Sequence, residues 1–216
     1  MYHIDKNKIK NIIFDWGGVI TNLSFDATIS AFKKYGVPDF EKYYCKEYQS
    51  DLFQRHEAGE INPTEFRDEL RKIIPDKITD EDMDAAWFAI LLDTPKDNLN
   101  LLSLIKDQYR IFLLSNTNSI HVDRYDKIFE SQFNLAGGLR SLFEKAYYSH
   151  EIGMRKPGEE IFYFVLEDSK LEPHETLFID DSIQNINAAK RLGIKTFHLQ
   201  DGSLLADLDI IRALKK

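Results

Sequence analysis

The chain has 216 residues, 43% apolar and 30% charged, an ordinary balance for a globular protein long enough to bury a sizeable core. Its 28 Lys and Arg against 36 Asp and Glu leave a net charge of -8, which excludes a general electrostatic footing on nucleic acid or an anionic membrane but permits a local phosphate site. One cysteine, Cys45, excludes a disulfide framework within the chain, and no apolar run suits a signal peptide or a membrane span, so a reducing, cytoplasmic setting is expected.

The first apolar run, Asn11–Trp16 (NIIFDW), has strand length and β-branched or aromatic residues. A different texture follows. From about residue 22 to 92 the chain reads as helical throughout. Ser24 caps a helix that stops at Gly36, and Asn62-Pro63-Thr64-Glu65 combines a cap, a first-turn proline and a glutamate at the third position. Thr79, with Glu81 and Asp82 behind it, starts another helix. Thr94-Pro95-Lys96-Asp97 opens the helix that returns to the sheet.

Four further apolar runs read as strands: Arg110–Ser115, Lys145–Ser149, Thr176–Asp180 and Lys195–Leu199. They are apolar at nearly every position, as strands buried on both faces of a parallel sheet are. Helical segments at Glu159–Asp168 and Ser182–Leu192 alternate with them, and Gly193 stops the second. The expected fold is a doubly wound, Rossmann-like α/β core of residues 1–21 and 94–216. An all-helical cap domain, residues 22–93, is inserted after the first strand; at about 70 residues it is far longer than a crossover.

Four candidate sites lie at or just past strand ends, where open α/β sheets place their ligands. Asp15, in IIFDWGGVI, is a carboxylate held at a strand end, with Gly17 and Gly18 letting the backbone turn close to a ligand; it reads equally as a turn residue. Ser115 and Asn116, in IFLLSNTN, offer a hydroxyl and backbone N–H groups to an anionic oxygen, or cap a helix. Lys156, in GMRKPGEEIF, is a fixed point charge for a phosphate or a solvated loop lysine. Asp180 and Asp181, in LFIDDSIQNI, repel each other unless a cation, by preference a hard divalent ion, sits between them; an N-cap for the following helix is compatible with that.

Taken together, FDWGGVI, LLSNTNSIH, RKP and FIDDSIQNI resemble the motifs of the haloacid dehalogenase superfamily, in order and spacing, across essentially the whole chain. They look most like its branch of small sugar-phosphate phosphatases with a glycine after the nucleophile. The resemblance implies Asp15 as covalent nucleophile, and Mg²⁺ bound by Asp15, Asp181, the backbone carbonyl of Gly17 and, more weakly or through water, Asp180, with Asn185 behind them. It implies Ser115, Asn116 and Lys156 around the phosphoryl oxygens and a small phosphorylated metabolite as the partner, with no nucleic acid or membrane involved. Trp16 reads equally as lining the crevice beside Asp15 or as a packed aromatic at the strand end.

One position departs from the pattern. Most phosphatases of the superfamily carry a second aspartate two residues after the nucleophile as general acid and base; here that position is Gly17. Such catalysis is worth roughly 10²–10⁴-fold. A substrate with an acidic leaving hydroxyl, or a donor such as His56, Glu57 or His121, would compensate. A phosphonatase shares the small residue but needs a cap lysine, and Lys33, Lys34, Lys42 and Lys46 read as lying on a solvated face. A metal-free dehalogenase gains nothing from Asp180 and Asp181, and a non-catalytic binder need not keep all the motifs. Trp87 reads as cap core, and Arg55 and Arg155 as possible substrate contacts or loop anchors.

Overall fold

A computed structural model describes residues 8–46, 48–200 and Leu205. Five parallel strands form one sheet in the order β3-β2-β1-β4-β5, with β1 Asn11–Phe14, β2 Arg110–Ser115, β3 Lys145–Tyr148, β4 Thr176–Asp180 and β5 Lys195–His198. β1 lies at the centre, Ile13 pairing with Phe112 of β2 on one side and Phe178 of β4 on the other. Side chains alternate across a strand, and here the alternation separates two cores. Ile12, Phe14, Ile111, Leu113, Leu177 and Ile179 join one hydrophobic cluster. Ile13, Phe112, Leu114 and Phe178 join another. Helices α5 (Lys96–Ile105) and α6 (Ser119–Phe133) cover the first face, α8 (Glu159–Asp168) and α9 (Ile183–Arg191) the second. The doubly wound α/β reading therefore holds.

Between β1 and α5 stand four helices, α1 (Phe25–Lys33), α2 (Asp51–Glu57), α3 (Pro63–Arg71) and α4 (Asp80–Phe88). They share a third hydrophobic cluster that includes Phe32, Phe40, Phe53, Phe66 and Trp87. Their caps are those the sequence suggests. Ser24 accepts from the Ala27 amide and Thr79 from the Asp82 amide. Asn62 and Glu65 form a reciprocal capping box: Asn62 Oδ1 accepts from the Thr64 and Glu65 amides, and Glu65 Oε2 accepts from the Asn62 amide.

The insertion is not helical throughout. Past Gly36, whose φ is +81°, and Pro38, the residues described up to Ser50 form a loop that holds the 3₁₀ turn Phe40–Lys42 and an isolated bridge between Tyr44 and Gln49. Backbone bonds Cys45 N–H to Tyr48 O (2.7 Å) and Ser50 N–H to Tyr43 O (2.8 Å) fold that loop back on itself. Glycine in the left-handed region ends the preceding helix, and the proline cannot donate into a new one. Cys45 and Lys46 thus sit on a loop, not in a helix.

The two chain crossings between the insertion and the sheet lie side by side. Asn22 N–H donates to Asp93 O at 3.0 Å and Leu92 N–H to Asn22 O at 2.9 Å. Asn98 of α5 ties the loop after β1 in place, its amide donating to Ile20 O at 3.0 Å and Val19 O at 3.3 Å. Helix α6 and the short α7 (Ser149–Ile152) went unmarked in the sequence reading. No helix among the described residues is long and apolar enough to cross a membrane.

Helix α6 joins the insertion through His121. Its ring stacks on Trp87 at 4.9 Å, Nε2 meets Trp87 O at 3.2 Å and Nδ1 meets the Asn118 side-chain amide at 3.2 Å. A carbonyl on one side and an amide donor on the other select the neutral ring with its proton on Nε2. Burial lowers the pKa of His121 from 6.5 to about 3. The unfolded chain takes up this proton near pH 6.5 and the folded chain only near 3, so folded stability falls as pH drops through that interval, by about 1.4 kcal/mol per pH unit at most. Melting temperatures between pH 7 and 4.5 should fall less steeply for His121→Gln than for the wild type; equal slopes would rule out this histidine as a source of acid lability.

Candidate active site

The C-terminal ends of β1, β2 and β4 open into a crevice of about 720 Å³, bounded above by the insertion. Asp15 extends β1, its amide donating to Ile179 O at 2.9 Å while its own Oδ1 accepts from the Trp16 amide at 2.7 Å. Asp180 ends β4, and Asp181 follows it. Carboxylate oxygens of Asp15, Asp180 and Asp181 lie within 4.8 Å of one another.

Lys156 is buried beneath them, 1% exposed. It has three N–H donors, and Nζ has three partners: Leu114 O at 2.8 Å, Asp180 Oδ2 at 2.7 Å and Asp15 Oδ1 at 3.0 Å. Burial alone would lower its pKa; the charges of Asp15 and Asp180 and their hydrogen bonds outweigh that and raise it. The reading of a solvated loop lysine is excluded. Burial raises the pKa of Asp15, Lys156 opposes the rise, and the charges of Asp180 and Asp181 add to it.

The neighbouring residues explain why Lys156 is held. Asn116 spends both ends of its amide on the Lys156 backbone, Nδ2 to O and Oδ1 from N–H, each at 2.8 Å. Its side chain is therefore a brace for the lysine loop, and what it can offer a ligand is backbone. Ser115, 2% exposed, lines the crevice, and among the described residues its hydroxyl reaches Asn116 O, at 3.5 Å. Asp180 is fully occupied: Oδ1 accepts from Ser182 N–H and Asn185 Nδ2, and Oδ2 from Lys156 Nζ and Asn185 Nδ2.

Two glycines shape the floor. Gly18 has φ +76°, and a Cβ there would stand 2.6 Å from Asp181 Cγ, so the carboxylate occupies the space a side chain would need. A Cβ on Gly17 would stand 2.8 Å from Leu23 Cδ1. Leu23 thus fills the corner into which a longer residue at position 17 would project.

Other sequence candidates fall elsewhere. The Trp16 indole is not among the crevice-lining residues; it is buried, donates to Thr21 Oγ1 at 2.9 Å and packs edge-on against Tyr125. His121 belongs to the packing described above. His56 is likewise buried, stacked on Phe66 with its pKa lowered by burial to about 4, and does not line the crevice. Trp87 is cap core, as read. Arg55 makes surface ion pairs with Asp51 and Glu60. Glu57 does line the crevice, bound to Arg155.

The sequence reading missed the 44–49 loop. It carries Lys46, Tyr48 and Gln49 to the crevice wall, with Lys46 Nζ 3.6 Å from Asp181 Oδ2, so one cap lysine does reach the acids. His198 also lines the crevice, Nε2 meeting Asp181 O at 3.0 Å. No periodicity marks either contact; both depend on how segments distant in sequence meet.

This arrangement has close counterparts. The model of the haloacid dehalogenase-like hydrolase family matches residues 9–193. A D-ribitol-5-phosphate phosphatase of Bacteroides thetaiotaomicron is 35% identical over 196 residues, 90% of this chain and 94% of that protein. A wild-type HAD family enzyme of Bacteroides thetaiotaomicron, solved in complex with magnesium and inorganic phosphate, superposes with a TM-score of 0.82 at 39% identity, covering 90% of this chain and 96% of that one. A HAD-like family hydrolase of Porphyromonas gingivalis gives 0.85 at 35% identity, covering 97% and 99%. With sheet order, strand-end carboxylates and buried lysine all in one crevice, and a family match spanning most of its length, the chain belongs to the haloacid dehalogenase-like hydrolases.

Proposed function

We propose that the protein is a magnesium-dependent phosphatase acting on a small phosphorylated polyol or sugar through an aspartyl-phosphate on Asp15. The observation that carries this reading is the charge of the crevice. Three clustered carboxylates against the buried Lys156 leave a formal excess of two negative charges, only partly offset by Lys46 at its edge. A phosphate dianion enters such a site only with a cation. The donor set, all carboxylate and carbonyl oxygen, suits a hard divalent ion. The relatives support the same reading, one named for a polyol phosphate and one solved with magnesium and phosphate.

Asp15 and Asp181, with the Gly17 carbonyl, would hold the ion. Asp180, its lone pairs already engaged, orients Lys156 and contributes at most through water. Bound Mg²⁺ supplies positive charge to the phosphoryl oxygens. An Asp15 oxygen attacks phosphorus as the bond to the leaving oxygen breaks. Lys156 and the Ser115 hydroxyl stabilise charge on the remaining oxygens. Water then attacks phosphorus, releases inorganic phosphate and restores the Asp15 carboxylate. The leaving oxygen finds no acid at position 17, where Leu23 fills the corner, and His56 and His121 do not face it.

Asp15→Asn should lower Mg²⁺-dependent phosphate release from sugar and polyol phosphates by at least about 10³-fold. Retained turnover would sink the covalent mechanism. Gly18→Ala should displace Asp181 and weaken Mg²⁺ affinity about 10–100-fold. Titrating both the activity and the Mg²⁺-induced rise in melting temperature reads this out, and an unaltered metal midpoint would count against Asp181 as a ligand.

Lys46 favours one second reading, a phosphonatase using an imine. Borohydride reduction with a phosphonoaldehyde should leave no covalent adduct on Lys46; an adduct would establish that chemistry in place of ester hydrolysis.

A further inference from the structure

A polar cluster on the crevice wall plays no part in the chemistry just described. Arg155 directly precedes Lys156 but turns away from the acids, toward the insertion. Its Nη2 donates to Glu57 Oε2 and to Gln49 Oε1, both at 2.6 Å. Glu57, the last residue of α2, is 4% exposed, and all three side chains line the crevice. Among the described residues the buried Nε of Arg155 has no hydrogen-bond partner. Burial raises the pKa of Glu57, and the adjacent guanidinium opposes the rise.

Glu57 is buried and the Arg155 side chain only 22% exposed, and a carboxylate and a guanidinium so placed are costly once a ligand covers them unless their hydrogen-bonding capacity is met. These two bonds use one nitrogen of Arg155 and one oxygen of Glu57. A bound molecule that buried this wall without donors and acceptors of its own would strand the rest. The crevice is also far larger than one phosphate requires. Elsewhere the lining mixes apolar residues, Leu23, Phe25 and Ile90, with polar ones such as Gln54, Gln184 and Gln200; the cluster differs from these in pairing a buried carboxylate with a guanidinium, which a hydroxylated body satisfies and an apolar one does not.

We propose that Glu57, Arg155 and Gln49 are specificity-determining residues that hydrogen-bond the hydroxyl groups of the substrate's organic body, selecting a polyhydroxylated phosphate ester over an apolar one. The assignment rests on the phosphatase reading. Glu57 accepts from hydroxyl hydrogens, Arg155 donates to hydroxyl oxygens, and Gln49 does either. Because Glu57 and Gln49 come from the insertion and Arg155 from the lysine loop, both sides of the crevice must be in place for the hydroxyls to be read.

Ribitol 5-phosphate and phenyl phosphate present the same phosphoryl group on a hydroxylated and an apolar body. Their kcat/KM ratio, measured with saturating Mg²⁺, should fall by at least about 30-fold in Glu57→Gln and in Arg155→Met, with most of the change in KM for the ribitol ester. Gln49→Leu, which leaves the ion pair intact, should lower the ratio by about 10-fold and keeps the test decisive if the other variants do not fold. An equal fall for both esters would make the cluster a structural strut and overturn the assignment. An unchanged ratio in a folded variant would overturn it as well, while leaving the phosphatase reading in force. No phosphate from either ester with the wild type would overturn the phosphatase reading and this assignment together.

Discussion

An ammonium group taken out of water costs several kcal/mol unless every donor is matched and its charge is balanced. Lys156 meets both conditions through one carbonyl and two carboxylates, on β2, at the end of β1 and at the end of β4. Much of the neighbourhood exists to keep those three partners in place. Asn116 grips the lysine backbone from both sides, and Asn185 with the Ser182 amide fixes Asp180. The arrangement is tight because the strand ends are adjacent in the sheet, β2-β1-β4. Lys156, from a loop after α7, closes over all three.

The same clamp divides the acids by role. Asp180 is consumed in holding the lysine, which leaves Asp15 and Asp181 as the carboxylates turned toward a ligand in the proposed mechanism. Gly18 gives Asp181 its position by having no side chain there. Leu23, on the crossing into the insertion, takes the corner beside Gly17. Protonation of the leaving group must then come from the substrate, from solvent or from the wall that the insertion provides.

That wall is tied to the helices of the sheet through Phe88, Ile120 and His121. The insertion has its own aromatic core around Phe53 and Trp87, and the sheet has a separate core on each face. The crevice runs between these units, so residues lining it come from both. Arg155 and Lys156 are neighbours in the chain that face opposite ways, one toward the insertion and one toward the acids.

Strands and their order of appearance were legible as apolar runs in the sequence; β1, β2 and β4 are buried on both faces, as such runs require, while the edge strands β3 and β5 are partly exposed. Capped helices were legible where side chains meet backbone amides locally, as at Ser24, Asn62 and Thr79. Asp15, Ser115, Asp180 and Asp181 were legible at strand ends, and it was the resemblance to the superfamily's motifs that joined them with Lys156, on the loop after α7, into one set. What only the tertiary structure decided were contacts between segments far apart in the chain. A lysine that reads as solvated in its loop is buried because β1, β2 and β4 converge on it. Trp16, adjacent to Asp15 in sequence, faces the core because side chains alternate across the sheet. His56 and His121 are packing groups, while Lys46 and Gln49 reach the crevice on a loop of the insertion whose local pattern carries no signal, and meet Arg155 of the lysine loop there. Local sequence encodes period and capping, whereas burial and charge pairing are set by whatever the folded chain brings alongside.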